Sequence, residues 1–293
     1  MMKLTHARAV ALMVLVTLMW SMAGVVTRHL ESARSFEVTF WRSFFTVACL
    51  LVILPAWQGR AVFSRIRHGG SALWLSGVCW SVMFTAFMVA LTLTSVANVL
   101  VTMAIGPLLT ALLAWVFIGH RIAPRTWWGI ALAGVGIGWM YGGQMNLSSQ
   151  LAGTLVALLV PLAGASNWTV VQHSRQHGKN IDLVPAVLVG AVLSCIAALP
   201  LSLPFSATPH DLGLLAVLGL FQLAIPCVLS VLCASVLKAP EVSLLGLLEV
   251  IFGILLAWAG AGEAPNMNVL AGGALVIAAL GLNEWIGWRQ HRG

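Results

Sequence analysis

Polar residues in the middle of long apolar runs are the first candidates for chemistry in this sequence. Glu249 is the only carboxylate near the centre of such a run, and Gln222 lies near the centre of another, one turn before Pro226. Hydrocarbon offers these groups no hydrogen-bond partner, so each is costly unless it faces a polar cavity or another helix. Glu249 therefore either binds a proton or an ammonium group, or is a neutral or paired carboxyl that serves packing. Gln222, and Asn167 in a third run, can likewise face a cavity or join two helices.

Aromatic side chains supply a second group of candidates, because the chain has 13 tryptophans and only 1 tyrosine. Most of the tryptophans lie near the ends of apolar runs, where indole rings favour the interface between lipid and water. Trp20, Trp80 and Trp168 lie deeper. Phe84 follows Trp80 by one helical turn, and Met103 lies within a further run. Aromatic and thioether groups can bind a largely apolar ligand by stacking and dispersion, and packing against lipid is the alternative for each.

Residue patterns typical of enzymes, metal sites and nucleotide-binding sites are absent from the sequence. The 8 histidines fall in loops, tails or the ends of apolar runs, the 5 cysteines lack CxxC spacing, and no Walker loop occurs. We therefore predict no catalytic residues, no metal ligands and no cofactor. ATP is excluded as a direct source of energy.

The composition predicts that lipid surrounds most of the chain. Hydrophobic residues make up 60% of the sequence and charged residues 8%, with a mean hydropathy of +0.98. A soluble fold of this length cannot bury that much apolar surface. The net charge of +7 would suggest nucleic acid as a partner of a soluble protein. Here the basic residues lie in loops, so membrane topology explains the charge and no nucleic-acid partner is predicted.

Ten apolar runs are long enough to be membrane spans, since a spanning helix needs about 20 residues. They cover residues 9–28, 38–57, 72–92, 96–118, 126–143, 150–171, 183–203, 211–235, 241–260 and 267–288. Their connections are short, and no polar region between them is long enough to form a soluble domain. The sequence therefore predicts an all-α integral membrane protein with ten transmembrane helices.

The distribution of Lys and Arg predicts the orientation of these spans. The amino terminus, the carboxyl tail and alternate loops carry twelve basic residues, whereas the opposite loops carry only Arg28 and Arg34. Cytoplasmic loops retain Lys and Arg. We therefore predict a multi-pass membrane protein with both termini in the cytoplasm.

An internal repeat is visible in the sequence. Residues 112–115, Leu-Leu-Ala-Trp, recur as residues 255–258, and the following helix keeps the same register. The repeat predicts two five-helix halves, residues 1–146 and 147–293, within one membrane domain. Because each half has an odd number of spans, the second is inverted relative to the first. Inverted halves can exchange inward-open and outward-open shapes around a site near the middle of the membrane.

Several short motifs carry a resemblance to a known family. They are Trp20-Ser21 in the first span, Trp41-Arg42-Ser43-Phe44 in the second, Gly106-Pro107 in the fourth, and a glycine followed by a polar residue near the end of each half, Gly119-His120 and Gly262-Glu263. With these motifs the whole chain resembles the drug/metabolite transporter superfamily, in its ten-helix EamA-type branch. It is most similar to YddG-type aromatic amino acid exporters. The resemblance implies outward transport of aromatic and neutral amino acids through a cavity lined by spans one, three, four, six, eight and nine. His120 departs from the pattern, since the family often has Glu there.

These observations together predict a secondary transporter that exports aromatic or neutral amino acids across the inner membrane by alternating access. The predicted substrate-binding residues are Trp20, Trp80, Phe84, Met103, Asn167, Trp168, Gln222 and Glu249. One alternative is a transporter of another small metabolite or of a hydrophobic drug. An alternative of a different class is a channel, although no pore-lining ring or filter motif is visible. The sequence does not determine the transport direction, the coupling ion or the oligomeric state.

The predicted topology can be tested by cysteine accessibility. Single cysteines near Arg65, Arg121 and Lys179 should react only from the cytoplasm, and those near Gln144 and Pro265 only from outside. An external location of either terminus would contradict both the orientation and the inverted repeat.

Overall fold

The computed structural model is helical, and the residues that it describes contain no β-strand. It describes residues 4–33, 35–118, 148–176, 182–234, 236–237 and 239–290, with isolated positions between 124 and 139. The predicted fifth span, 126–143, lies largely outside the described residues, as does His120. The count of ten spans and the inverted relation of the two halves therefore stay predictions.

The structure describes twelve α-helices, which we number in chain order. They are α1 (His6–Thr27), α2 (Ser35–Gln58), α3 (Ala61–His68), α4 (Gly70–Leu93), α5 (Val96–Met103), α6 (Gly106–Ile118), α7 (Ser148–Gln176), α8 (Pro185–Ser202), α9 (Pro209–Val217), α10 (Ile225–Cys233), α11 (Ala239–Ala261) and α12 (Met267–Gln290). A π-helical segment, Leu218–Ala224, joins α9 to α10 without a break. We call it the π segment.

Seven helical stretches among the described residues are long and apolar enough to cross a membrane. They are His6–Thr27, Ser35–Gln58, Gly70–Leu93, Val96–Phe117, Leu151–Val171, Pro185–Ser202 and Pro209–Cys233. Shorter apolar stretches occupy Leu245–Ala261 in α11 and Met267–Ala279 in α12. Large apolar side chains also cover the outside of the bundle, for example Phe117 at 71% exposure and Val52 at 68%. Such a surface suits lipid rather than water.

Helix α4 lies at the centre of the described packing. It contacts α7 on one side and α8 on another, α8 also contacts α2, and α1 packs against α10 and α11. The contact between α4 and α8 is close because each helix carries a glycine at the crossing, Gly77 and Gly190. Small residues allow two membrane helices to approach in this way. The crossing fixes the position of Trp80, whose Cβ lies against Gly190.

The close crossing predicts a large effect of a small substitution. A methyl group added at Gly190 would meet the Cβ of Trp80 and lie 3.0 Å from the carbonyl oxygen of Gly77. Gly190→Ala should therefore separate α4 from α8 and lower the free energy of unfolding by about 1–3 kcal/mol. The control is Gly213→Ala in α9, where an added Cβ meets nothing within 4 Å. Thermal unfolding in detergent measures both variants, and equal melting temperatures would contradict the close contact.

Candidate substrate cavity

A cavity with a volume of about 200 Å³ lies inside the helix bundle. Its wall is formed by side chains of α1, α2, α4, α7, α10 and α11, by the junction of α5 with α6, and by the π segment. Most of these side chains are apolar, and a few polar groups are placed among them. Sites for small molecules in proteins commonly have this composition.

The structure brings seven of the eight predicted binding residues to this one cavity. They are Trp20, Trp80, Phe84, Met103, Trp168, Gln222 and Glu249. The residues come from helices far apart in sequence, and the described structure places them around a single space.

Asn167, the eighth predicted residue, does not line the cavity. Its side chain is 1% exposed, and its Oδ1 accepts a hydrogen bond of 2.6 Å from the Oγ of Ser76. The bond joins α7 to α4. Asn167 therefore joins two helices. This is one of the two roles that its sequence position allowed, the other being to face a cavity.

Aromatic rings form a continuous part of the wall. The ring centroids of Trp80 and Phe84 are 5.5 Å apart with an interplanar angle of 42°. Trp20, on α1, and Cys227, beside the π segment, lie in the same wall. Trp168 completes this surface from α7. A flat apolar group placed in the cavity would find ring faces and edges in offset and tilted orientations, which favour aromatic contacts.

Arg42 is a wall residue that the sequence did not assign to the site. Its side chain is completely buried. Nη1 donates a hydrogen bond of 3.0 Å to Oε1 of Gln222, and Nη2 donates one of 2.6 Å to the carbonyl oxygen of Phe84. The guanidinium carbon also lies 6.0 Å from the centroid of the Phe84 ring. The sequence contained a signal for this residue, because Arg42 is a cation within an apolar run as well as part of a family motif.

Glu249 faces the same cavity from α11. In the part of the chain that the structure describes, its carboxylate has neither a hydrogen-bond partner nor a cation within 4.0 Å. Arg42 and Glu249 both line this cavity. It therefore contains one acidic and one basic group that are not paired to each other.

Two irregular stretches of helix lie against the cavity. Helix α5 ends at Met103 and α6 begins at Gly106, with Pro107 following, so the fourth span is interrupted where it meets the cavity. Pro107 cannot donate a backbone hydrogen bond. The π segment carries Gln222 into the wall from the eighth span. Single π turns occur frequently at functional sites.

One end of the bundle is held together by bonds between helix connections. We call it the linked end, formed by residues 28–33, 94–95, 203–208 and 262–266. The Nε of Arg28 lies 2.7 Å from Oε2 of Glu263. Its Nη1 and Nη2 donate to the carbonyl oxygens of Leu91 and Thr94 at 2.9 and 3.0 Å. The other oxygen of Glu263 accepts from the backbone N–H of Val96 at 2.8 Å.

Two buried carboxylates complete the linked end. Asp211 accepts hydrogen bonds from the three backbone N–H groups of residues 31–33, at 2.8, 3.1 and 3.1 Å. Glu37 accepts from the backbone N–H groups of Ser206 and Ala207, both at 2.8 Å. These bonds fasten the α1–α2 connection to the α8–α9 connection. The cavity, in contrast, extends to Met13 and Val242, near the opposite ends of α1 and α11.

Glu31, His210 and Asp211 bring three potential metal-ligand atoms within 4.8 Å of one another at the linked end. Glu31 and His210 are exposed, and both oxygens of Asp211 already accept backbone hydrogen bonds. These bonds give the Asp211 carboxylate a structural role, so the group has no feature that requires a metal ion.

A bundle of apolar helices around an internal cavity that combines aromatic and charged side chains is the architecture of a membrane transporter. Residues 7–142 and 151–284 each match the EamA-like transporter family. The chain therefore belongs to the EamA-like transporter family. It is a multi-pass membrane transporter and not an enzyme, and the predicted relation to the drug/metabolite transporter superfamily is confirmed.

Individual proteins show more distant similarity. The pseudopaline exporter CntI of Pseudomonas aeruginosa, found in two strains, is 23% identical over 243 residues, which cover 83% of this chain and 84% of that protein. A solved crystal structure superposes with a TM-score of 0.62 over 98% of this chain and 99% of its own, at 15% identity. The latter likeness concerns the fold alone. These relatives do not distinguish the YddG-type aromatic exporters from other exporters of the superfamily.

Proposed function

We propose that this protein exports aromatic and other neutral amino acids across the bacterial inner membrane. The observation that carries the proposal is the composition of the cavity. Trp20, Trp80 and Trp168 provide apolar contact surface, whereas Gln222 and Glu249 provide polar groups. An aromatic amino acid has the same division, with an apolar ring at one end and charged groups at the other.

Transport proceeds by alternating access in this proposal. The two separate family matches, 7–142 and 151–284, support two related halves, which we place at residues 1–146 and 147–293. With both termini in the cytoplasm, the linked end faces outward and the cavity extends towards the cytoplasm. The structure then represents an inward-facing state, and outward release requires the bonds of Arg28 and Glu263 to open. Closure at one end favours a carrier over a channel, because a channel needs a continuous path.

A second candidate is export of a different small metabolite. The similarity to a pseudopaline exporter across most of both chains favours this alternative. Both candidates use the same cavity and the same exchange of inward-facing and outward-facing states. They differ in whether the aromatic wall binds an aromatic side chain of the substrate.

Substitution of the aromatic wall tests substrate recognition. Trp168→Ala should weaken counterflow of tryptophan and phenylalanine into proteoliposomes far more than counterflow of alanine. The loss of about 1–3 kcal/mol of apolar contact corresponds to roughly ten- to a hundredfold in affinity. Trp258→Ala is the matched control, since this α11 tryptophan is 57% exposed on the outside of the bundle. Equal losses for all amino acids would contradict an aromatic site, and competition by pseudopaline but not by tryptophan would favour the second candidate.

Glu249→Gln tests the role of the carboxylate, because glutamine keeps the size and hydrogen-bonding capacity but cannot ionise. If Glu249 carries the coupling proton, the variant should retain substrate exchange and lose the pH dependence of net export in proteoliposomes. A parallel fall in exchange would assign the carboxylate to the substrate ammonium group. Asp182→Asn, outside the cavity, is the control. Normal transport by Glu249→Gln at every pH would remove the residue from the site.

A further inference from the structure

We infer that Arg42 is the anion-binding residue of the cavity and that the transported molecule carries a carboxylate group which Arg42 binds. This inference rests on the proposed function of the cavity as the substrate site. It defines the chemical class of the substrate more narrowly, as a molecule with both an anionic and a cationic group joined to an apolar part.

Arg42 has an incomplete set of partners. Both of its hydrogen-bond partners, the amide oxygen of Gln222 and the carbonyl oxygen of Phe84, are neutral. Within the described structure no carboxylate lies within 4.0 Å of the guanidinium. A fully buried cation without a counter-ion is costly, and cations at membrane depth mark substrate or ion pathways. An anion is therefore the missing partner.

The guanidinium of Arg42 also keeps hydrogen-bond donors that have no partner. A guanidinium has five N–H groups, and the two recorded hydrogen bonds use two of them. The Nε atom is buried and has no partner at all. Two parallel N–H groups are sufficient to bind a carboxylate in the bidentate geometry that arginine favours. Gln222 and Phe84 hold the guanidinium in place at the cavity wall, so Gln222 is a positioning residue for Arg42.

Glu249 lines the same cavity and has no partner of its own among the described residues. A ligand with a carboxylate and an ammonium group can bind Arg42 and Glu249 at once, while its apolar part contacts Trp80 and Phe84. A neutral hydrophobic molecule would leave the Arg42 guanidinium without a counter-ion in a site from which it has displaced water. The cavity therefore favours amino acids and related zwitterions over uncharged drugs.

Matched ligands test the inference on the purified protein. L-Tryptophan and L-tryptophanamide share the indole and the ammonium group, but only the first has a carboxylate; L-leucine and L-leucinamide form the non-aromatic pair. The dissociation constants are obtained from the increase in melting temperature on ligand binding, and unfolding is detected with a thiol-reactive dye. This readout suits the chain because its 5 free cysteines are buried or half-buried. We expect the wild-type protein to bind the acid at least tenfold more tightly than the amide of the same side chain.

Two variants separate anion binding from a purely structural role. Arg42→Gln should reduce the ratio of the two dissociation constants, amide to acid, to about one. Gln222→Glu places a carboxylate against the guanidinium and so supplies an internal counter-ion. This variant should stay folded, melt at a higher temperature than the wild-type protein, and also lose the preference for the acid. Trp258→Ala should keep the wild-type ratio.

Each outcome of the binding test decides between the proposals. Equal affinity for acid and amide in the wild-type protein, or an unchanged ratio in Gln222→Glu, would overturn the role of Arg42 and leave aromatic export intact. An Arg42-dependent preference for leucine over leucinamide, with no binding of tryptophan, would support the anion site and overturn the aromatic substrate. Failure of both acids to bind at millimolar concentration would overturn both.

Discussion

The cavity of this transporter depends on the hydrogen bonds of a buried cation that has no counter-ion among the described residues. Hydrocarbon cannot satisfy polar groups, so the backbone forms helices and each charged side chain must find its partners inside the protein. Arg42 extends from α2 and bonds to the backbone of α4 at Phe84 and to the π segment at Gln222. One side chain thus connects three elements of the wall. A movement of any of them changes the bonds of the guanidinium, so in the proposed mode of binding the charge of the ligand is coupled to the shape of the cavity.

The buried polar residues fall into two groups according to whether their bonds are complete. Ser76 and Asn167 bond directly to each other, and the hydroxyls of Ser43 and Ser194 lie 3.0 Å apart between α2 and α8. Such pairs stabilise helix contacts without a ligand. At the cavity, the Nε of Arg42 has no hydrogen-bond partner, and the half-buried Glu249 has none among the described residues. In the proposed function these are the two groups whose partners a substrate supplies.

The linked end combines bonds of different strength. The ion pair of Arg28 and Glu263 is partly exposed, with side-chain exposures of 30% and 23%, and exposed pairs contribute only about 0–1 kcal/mol. The carboxylates of Glu37 and Asp211 are buried and accept several backbone hydrogen bonds. The α1–α2 connection is therefore firmly attached to the α8–α9 connection, while the attachment of α1 to the α11–α12 connection is the weaker one. In the proposed cycle this weaker attachment opens first.

The sequence by itself determined the membrane class and seven of the residues that line the cavity, because hydropathy, span length and the depth of Trp20, Trp80 or Glu249 within a span are local properties of the chain. Only the tertiary structure decided which polar side chains meet each other. Asn167 and Arg42 look alike in sequence, as isolated polar residues in apolar runs. Their roles differ because partner choice depends on how neighbouring helices are rotated and packed, which involves residues far away along the chain.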